Sequence, residues 1–511
     1  MKKPTTPTEA SAIQRIAHGA IQTFGSTYPA RLINFAVLLL LYQILVPEDF
    51  GAITTAYSIL ALVIAIRDLG LHYALLHEHD NVHELAPTHF VLSVSLGSTS
   101  TLLALCIALY SEHLFELFNT YLGFTDTQNY PKVAIALGIL GAFDLLRTAA
   151  LTAETQLQRN LEFGRLAFAH AGGTILAALV GLAVAYLGYG KWALILGFFP
   201  YSVTYILFYC TVVWLRHPPP LNQLHTFNAQ AARRMIRYGV WFWIGGIPKI
   251  FIQHYDKLII SLFFGLSLRG IYDAAHNFAQ IPSGAITMVI VRITATVYAR
   301  YQNNRDQLSA AYRRTSRLIL RTTVPISLVL ALEANRWIHI FKPDWAPAAP
   351  LLQWLIIYSL CRPILDDVHA LFYSAGSPKS IAKFSAAQAL ILLILAPYLA
   401  HHMGAVGIAI SMNAIAIVGL ILALILVRAY VDIPIAKTFA PPLIAAAIGT
   451  GMHFALAEWL NTLPIPIGVL AGSAIFTTGY GSGLLIVERK TLINEIKTVI
   501  RAIKSGSGFT G

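Results

Sequence analysis

The stretch PARLINFAVLLLLYQIL, residues 29–45, carries one proline and one arginine inside an apolar run. A similar stretch in the second half of the chain, PKIFIQHYDKLII at residues 248–260, begins with a proline and a lysine. A charge at bilayer depth is costly, so it is retained mainly where it lines a cavity or contacts a ligand. Repetition in both halves of one chain is typical of two-lobed transporters. The pair therefore predicts a transporter whose cavity attracts an anion.

The composition is that of a membrane protein. Of 511 residues, 56% are hydrophobic and only 12% are charged, and the mean hydropathy is +0.63. At about 20 residues per crossing, the apolar segments predict an all-α, polytopic membrane protein with about 14 transmembrane helices. The chain contains no GxxxxGK[ST] sequence, which argues against ATP hydrolysis through a phosphate-binding loop.

The charges alternate from one connection to the next. Lysine and arginine collect at the N-terminus and in every second connection, whereas an intervening connection such as residues 46–49 is acidic. Cytoplasmic loops carry the excess of Lys and Arg, so both termini are predicted to be cytoplasmic in a multi-pass protein of the cytoplasmic (inner) membrane. The formal charge of +12 is thus interpreted as positive-inside topology and lipid contact, with no nucleic-acid partner.

The run RHPPP at residues 216–220 breaks the chain near its middle, because proline cannot continue a helix. The alignment that places Pro29 on Pro248 also places Gly51 on Gly270, which favours two pseudo-symmetric six-helix lobes. The predicted organisation is an N-lobe with helices 1–6 at residues 1–215, a cytoplasmic linker at 216–234, a C-lobe with helices 7–12 at 235–430, helices 13–14 at 431–487 and a cytoplasmic amphipathic tail at 488–511. Helices 13 and 14 are expected to pack peripherally and to face lipid.

Two cations are the strongest candidates for binding an anion. Arg31 shares a helix face with Asn34, and Lys249 shares one with Gln253 and Asp256. Neither cation has an acidic residue three or four positions away on its own helix. Together they could bind a phosphate or diphosphate, Lys as a point charge and Arg as a bidentate fork.

Carboxylates at bilayer depth suggest a second chemistry. A carboxylate in a low-dielectric cavity can exchange a proton or hold a sodium ion. The candidates for ion coupling are Asp256, Asp366 and Asp367. A salt bridge from Asp366 to Arg362, one turn away, is the alternative.

Histidines crowd the connection between predicted helices two and three, at positions 72, 77, 79, 83 and 89. The spacing of His77, His79 and His83 could bind a metal. A solvated cytoplasmic loop is favoured, so neither a metal site nor an organic cofactor is predicted. The one cofactor-like ligand expected is a coupling ion, either Na⁺ or H⁺.

Three motif groups carry a family resemblance. They are LVPEDFG at 45–51 with DLGL at 68–71, residues 256–265 with GxYxxA at 270–275, and WAPAAPLL at 345–352 with AGSPK at 375–379. In order and spacing they resemble the polysaccharide-exporting flippases of the multidrug, oligosaccharidyl-lipid and polysaccharide exporter superfamily. The resemblance covers about residues 15–430.

The resemblance implies a non-enzymatic bundle that moves an undecaprenyl-diphosphate-linked oligosaccharide between leaflets by alternating access, for cell-surface polysaccharide assembly. It implies membrane lipids and a polysaccharide polymerase as partners, and a monomeric protein. The implied diphosphate-binding residues are Arg31, Lys249, Arg292, Arg362 and Arg147. The implied sugar-contacting residues are Asn34, Gln253, Tyr272, His276, Asn277 and Tyr358.

Three alternatives stay open at this point. Arg147 could pair with Asp144, and Arg292 could lie near a helix end with its charge at the membrane surface. A cation-coupled multidrug exporter of the same superfamily would need an acidic, aromatic cavity. A membrane glycosyltransferase or ligase would need catalytic residues on sizeable outer loops, and the short loops of this chain do not supply them.

Overall fold

The structure is a computed structural model. It describes residues 9–77, 82–111, 113, 130–160, 162–190, 192–197, 203, 227–375 and 378–504. These residues form helices and turns, and they contain no β-strand. The all-α prediction is confirmed.

The chain divides into two compact units, Met1–Asp273 and Ala274–Gly511. The helices that begin in the first unit are α1 Glu9–Ile44, α2 Pro47–Arg67, α3 Leu71–His77, α4 Val82–Leu109, α5 Tyr130–Arg159, α6 Phe163–Tyr186 and α7 Ala229–Ala279. A further helical segment covers residues 192–197. Helix α7 crosses the division between the units.

The second unit contains nine further helices and a 3₁₀ turn at Pro343–Trp345. They are α8 Ile281–Tyr301, α9 Arg305–Leu332, α10 Ala334–Ile338, α11 Ala348–Trp354, α12 Ile356–Ser374, α13 Pro378–Val427, α14 Ile435–Ala455, α15 Ala457–Thr462 and α16 Ile465–Lys504.

Ten described helices are long and apolar enough to cross a membrane, or eleven if the bent pair Pro343–Trp354 and Ile356–Ser374 is one span. Three described helices contain a break, at Gly265 in α7, at Gly404 in α13 and at Glu488 in α16, and the two glycines have φ of 80° and 65°. Glycine adopts these angles without steric cost. Gly404 falls between two spans that the sequence predicts as separate, residues 379–402 and 405–429, and Gly265 lies near the end of the predicted span 235–266. The structure thus supports many crossings but does not confirm the count of fourteen.

Local sequence explains where the best-defined helices begin. Helix α2 starts at Pro47, whose fixed φ suits the first helical position, and Glu48 and Asp49 complement the positive end of the helix dipole. Helix α9 is capped by Asn304, whose side chain accepts a hydrogen bond from the backbone N–H of Gln307 at 3.1 Å.

Helix α2 packs antiparallel to the first limb of α7 along its length. Near the end of α2, Trp243 Nε1 donates a hydrogen bond to the carbonyl oxygen of Ala65 at 2.5 Å. At its middle, the rings of Tyr57 and His254 contact edge to face, with centroids 6.0 Å apart. As the residue number falls on α2 it rises on α7, so the start of α2 meets the part of α7 beyond Gly265.

That meeting point is a reciprocal glycine contact. A Cβ atom on Gly51 would collide with the carbonyl oxygen of Leu266, and a Cβ on Gly270 would collide with the carbonyl oxygen of Pro47. The alignment of the two halves by their proline-cation stretches places Pro47 on Leu266 and Gly51 on Gly270. Mutual exchange of the same contact is the property of a twofold interface. The two aligned segments therefore cross about a local twofold axis, and only glycine allows their backbones to approach so closely.

In the second unit, the last long helices are tied to α9 by buried charges. Glu333, directly after α9, lies 2.7 Å from His453 Nε2 on α14 and 2.7 Å from Arg336 Nη1. Arg321 on α9 pairs with Glu488 on α16 at 2.6 Å. Helices α14 and α16, which contain the predicted helices 13 and 14, thus also form ion pairs with α9 and with Glu333 after it.

Candidate functional site

The two proline-cation stretches lie within long helices. Pro29 and Arg31 belong to α1, and Pro248 and Lys249 belong to α7. Both cations are exposed. Neither lines the two cavities described next, so their predicted role as a shared anion site stays a prediction.

A cavity of about 500 Å³ lies among α1, α2, α5, α6 and the segment 192–197. Its walls are largely apolar, with Leu, Ile, Val, Ala and Gly predominating. The polar lining residues are Asn34, Tyr57, Asp144, Arg147 and Thr174. A cavity of this size with few polar groups has the usual character of a ligand site. It brings together two residues that the sequence analysis selected, Asn34 and Arg147.

An ion cluster closes the polar end of this apolar cavity. Asp144 accepts a hydrogen bond from Arg67 Nη2 at 2.6 Å, and its other oxygen lies 3.6 Å from Arg147 Nε. Arg67 Nη1 also donates to Thr148 Oγ1 at 2.9 Å. The Arg67 and Asp144 side chains are 9% and 6% exposed. Two guanidinium groups thus share one buried carboxylate, and the Asp68 carboxyl interacts electrostatically with both of them.

Arg67 is the member of this cluster that sequence reasoning missed. Arg67 is the last residue of α2 and lies 77 residues before Asp144. No helical spacing along the sequence could therefore indicate that the two residues pair. The ion pair from Arg147 to Asp144, left open from the sequence, is present. Its longer distance shows that Arg67 is the closer partner of Asp144.

A second cavity, of about 260 Å³, follows the first along α2 and α5. Its polar lining residues are Arg67, Asp68, His72, Tyr73, His89, Ser93, Arg147, Thr148, Glu154 and Gln158. Burial raises the pKa of the Asp68 carboxyl, which lies just beyond the α2 span. Arg147 lines both cavities.

Two of the clustered histidines are structural parts of this polar cavity. His72 Nδ1 lies 2.8 Å from Thr155 Oγ1, and the buried His89 Nδ1 lies 2.8 Å from Thr152 Oγ1. Because Thr155 donates its hydroxyl hydrogen to the carbonyl oxygen of Leu151 at 2.8 Å, His72 must donate through Nδ1. The prediction of a solvated loop is therefore wrong for these two residues, since helix packing places both against α5. His79 lies outside the described residues, as does the side chain of His83.

Helix α7 carries a separate buried cluster. Asp256 is fully buried, accepts a hydrogen bond from Tyr272 Oη at 2.8 Å through Oδ2, and has no hydrogen-bond partner for Oδ1 among the described residues. Arg269 pairs with Asp273 at 2.6 Å. Gln253 is half-buried on the same helix. Asp256 and Tyr272, predicted for different roles, are thus direct partners.

The remaining candidates lie in the second unit. Arg362 pairs with Asp366 at 3.3 Å, which is the salt bridge kept as an alternative. The buried Asp367 accepts a hydrogen bond from Tyr298 Oη at 3.0 Å. The rings of His276 and Tyr358 lie 5.5 Å apart.

The two other candidates in this part of the chain are Asn277 and Arg292. Asn277 is exposed at the end of α7. Arg292 belongs to α8, but its side chain lies outside the described residues.

A family described as "Polysaccharide biosynthesis protein" matches residues 40–350. The chain belongs to this family. The matched residues include α2, α5 and α7, which carry the cavities and both ion clusters.

Two curated proteins are similar to this member of the polysaccharide biosynthesis family. The lipopolysaccharide biosynthesis protein WzxC of Escherichia coli (strain K12) is 21% identical over 387 residues, covering 75% of this chain and 74% of WzxC. The succinoglycan biosynthesis transport protein ExoT of Rhizobium meliloti (strain 1021) is 24% identical over 333 residues. That match covers 64% of this chain and 62% of ExoT, less than two thirds of its length.

Solved structures agree on the fold. The lipid II flippase MurJ, in its inward closed conformation, aligns with a TM-score of 0.71 at 14% identity, covering 92% of this chain and all of that one. A MATE family transporter of the MOP superfamily aligns with a TM-score of 0.61 at 16% identity, covering 80% of this chain and 98% of the other. The protein is therefore a helical membrane protein of the polysaccharide biosynthesis family, with the fold that these solved structures share.

Proposed function

We propose that the protein moves a lipid-diphosphate-linked oligosaccharide across the cytoplasmic membrane by alternating access, for cell-surface polysaccharide assembly. The observation that carries the proposal is Arg147, a cation on the wall of a largely apolar cavity. It lies 3.6 Å from Asp144, whose closer partner is Arg67 at 2.6 Å. An apolar chain joined to an anionic group matches this combination.

The chemistry of the cavity also separates this function from multidrug export. An exporter of cationic drugs is served by acidic side chains that can meet the drug, whereas Asp144, the acidic lining residue of the apolar cavity, is already paired with Arg67 and Arg147. The names of WzxC and ExoT place both relatives in polysaccharide biosynthesis, which supports a glycan-bearing substrate. The charge pattern supports cytoplasmic termini, and the proposed partners are membrane lipids and the polysaccharide assembly machinery.

Transport assays with charge-neutralised variants test the proposal. We expect Arg147→Gln to lower translocation of a fluorescent lipid-diphosphate-glycan in proteoliposomes by about 10-fold or more, because a charge-assisted contact to the diphosphate is lost. Adding Arg31→Ala and Lys249→Ala to Arg147→Gln gives a triple variant. Its rate of translocation should be lower still if both exposed cations guide the same anion. The matched control is Arg300→Gln, an exposed cation at the end of α8. Full transport by the triple variant would refute an anion-binding translocation path.

We further propose that Asp256 holds the coupling cation, either H⁺ or Na⁺. Its Oδ1 atom is buried without a hydrogen-bond partner in the described structure, while Tyr272 binds Oδ2. An unpartnered carboxylate oxygen in a low-dielectric site gains stability from a proton or a metal cation. Asp366 and Asp367 are the alternatives, but both oxygens of each carboxylate already have a partner. Arg362 and Ser283 contact the two oxygens of Asp366, and Tyr298 Oη lies within hydrogen-bond distance of both oxygens of Asp367.

The coupling proposal predicts a change in ion dependence. In Asp256→Asn, transport should lose most of its dependence on pH and on sodium concentration. Asp306→Asn, which changes an exposed residue in the first turn of α9, should keep the wild-type dependence. If Asp256→Asn responds to pH and sodium as the wild type does while Asp366→Asn or Asp367→Asn does not, the coupling site lies in the second unit.

A further inference from the structure

Four exposed residues follow one face of α7 near its start. They are Arg233, Arg237, Trp241 and Ile244, and at 3.6 residues per turn they lie within about 80° of the helix circumference. Trp241 is 74% exposed and Ile244 is 50% exposed. Along the helix axis, Trp241 lies about 6 Å beyond Arg237, and Ile244 lies about 10 Å beyond it. The face thus presents two cations, then an indole, then an apolar side chain.

The opposite face of this part of α7 is held by packing. Ala231 and Met235 belong to a buried apolar cluster with Leu71 of α3. A Cβ atom on Gly239 would lie 2.4 Å from the carbonyl oxygen of Leu69, between α2 and α3. Only glycine allows so close a backbone approach. This packing fixes the orientation of α7, so that its exposed face is directed away from α3.

Stacked rings flank the exposed face. The rings of His77 and Tyr238 are stacked with centroids 4.7 Å apart. Those of Tyr73 and Phe242 are stacked at 4.9 Å, and Tyr238 and Phe242 lie 5.4 Å apart. Tyrosine and tryptophan concentrate at the boundary between membrane and water, because their rings are amphipathic. The rings, with Trp241, are therefore typical of a membrane interface, and the predicted topology makes it the cytoplasmic one.

The arginines of this segment are available for a ligand. Arg233, Arg234 and Arg237 are all exposed, and within the part of the chain that the structure describes no side chain pairs with any of them. A guanidinium group can bind two phosphate oxygens as a fork. Clusters of arginine on the cytoplasmic side of a membrane span attract anionic lipids. Unpaired cations next to an exposed indole match a phosphate joined to apolar chains.

We infer that the α7 face from Arg233 to Ile244 binds an anionic phospholipid of the cytoplasmic leaflet. Arg233 and Arg237 bind the phosphate, Trp241 lies at the level of the glycerol, and Ile244 contacts an acyl chain. The inference goes beyond the proposed function, since Arg233, Arg237 and Trp241 line neither the apolar nor the polar cavity. An exposed face without enclosing walls suits a lipid that is abundant throughout the leaflet.

Fluorescence quenching by brominated phospholipids tests this site in the full-length protein. In vesicles of brominated phosphatidylglycerol or brominated phosphatidylcholine, the signal of Trp241 is the difference between the wild type and Trp241→Phe. Mixtures of the two lipids give the preference of this position for the anionic one. We expect phosphatidylglycerol to bind about 5-fold more tightly or better, which is the effect of one cation near an anionic surface. Added salt should reduce this preference.

Charge variants identify the groups that bind the phosphate. Arg233→Gln/Arg237→Gln should lower the preference for phosphatidylglycerol by about 5-fold, whereas Arg233→Lys/Arg237→Lys should keep part of it, because the charge remains and the fork is lost. The matched control is Arg300→Gln/Arg314→Gln, which changes two exposed arginines on α8 and α9 and should keep the wild-type preference. Thermal unfolding checks that each variant is folded. A folded Arg233→Gln/Arg237→Gln with the wild-type preference would contradict the site.

Three further outcomes would overturn the inference. If acrylamide quenches Trp241 and brominated lipids do not, the face lies against water. Equal quenching by the two brominated lipids would show ordinary lipid contact without a head-group site. If inorganic phosphate protects Trp241 from brominated phosphatidylglycerol as well as unlabelled phosphatidylglycerol does, the arginines bind a free anion.

Discussion

Alanine at Gly51 or at Gly270 is expected to destabilise the protein by about 3 kcal/mol, near the upper end of the range for overpacking a tight interface. In each case the new Cβ atom would collide with a backbone carbonyl oxygen, that of Leu266 or of Pro47. Backbone cannot move aside as a flexible side chain can, so the two helices must separate. Thermal unfolding in detergent, calibrated by denaturant titration, measures the loss.

The reciprocal geometry makes this prediction specific. Since the contact is the same on both sides of the local twofold, the two single variants should be destabilised by similar amounts. The double variant should lose less than the sum, because separating the helices once relieves both collisions. Gly172→Ala on α6 is the control, because a Cβ there meets no atom within 4 Å. Equal stability of Gly51→Ala and Gly172→Ala would show that the helices do not cross as described.

Removal of the buried carboxylate in the Arg67 and Asp144 cluster should have the second large effect. Asp144→Leu leaves two guanidinium groups, one of them 9% exposed, without their shared carboxylate. The expected cost is about 3 to 5 kcal/mol, as for other broken buried ion pairs. Arg67→Met should cost less, because Arg147 remains beside Asp144 and can move closer.

A double variant distinguishes charge from packing. Arg67→Met/Asp144→Leu should be more stable than Asp144→Leu alone, since it replaces the closest pair with apolar groups. The surface pair of Arg305 and Asp432, 53% and 66% exposed, is the matched control, and Arg305→Met should unfold almost as the wild type does. If Asp144→Leu behaves like Arg305→Met, the cluster is hydrated and its charges are not coupled.

Local patterns account for much of what sequence reasoning predicted. Apolar length predicts the helices, and the resemblance of LVPEDFG and DLGL to flippases agrees with the family match over residues 40–350. The alignment of the two halves, based on few identities, pairs Gly51 with Gly270, and the structure brings these two glycines into reciprocal contact. These features depend on residues close together in the chain or on a repeated order of residues.

The histidine cluster shows where such patterns fail. The five histidines were predicted to lie in a solvated loop, because a cluster of polar residues between two apolar segments is the usual sign of a loop. Helix packing instead gave His89 and His72 threonine partners 63 and 83 residues away. In the same way, a spacing of three suggested Asp144 as a partner of Arg147 but could not reveal Arg67 as the stronger one.

The amino-acid sequence is sufficient to establish a helical membrane protein of the polysaccharide biosynthesis family, because hydropathy and ordered motifs are properties of the linear sequence. Only folding distinguishes the exposed proline-linked cations Arg31 and Lys249 from Arg147, which lies between an apolar and a polar cavity. The physical reason is that a cation's effect depends on the carboxylates and cavities around it. Those neighbours come from helices far apart in the chain, and they meet only when the helices pack.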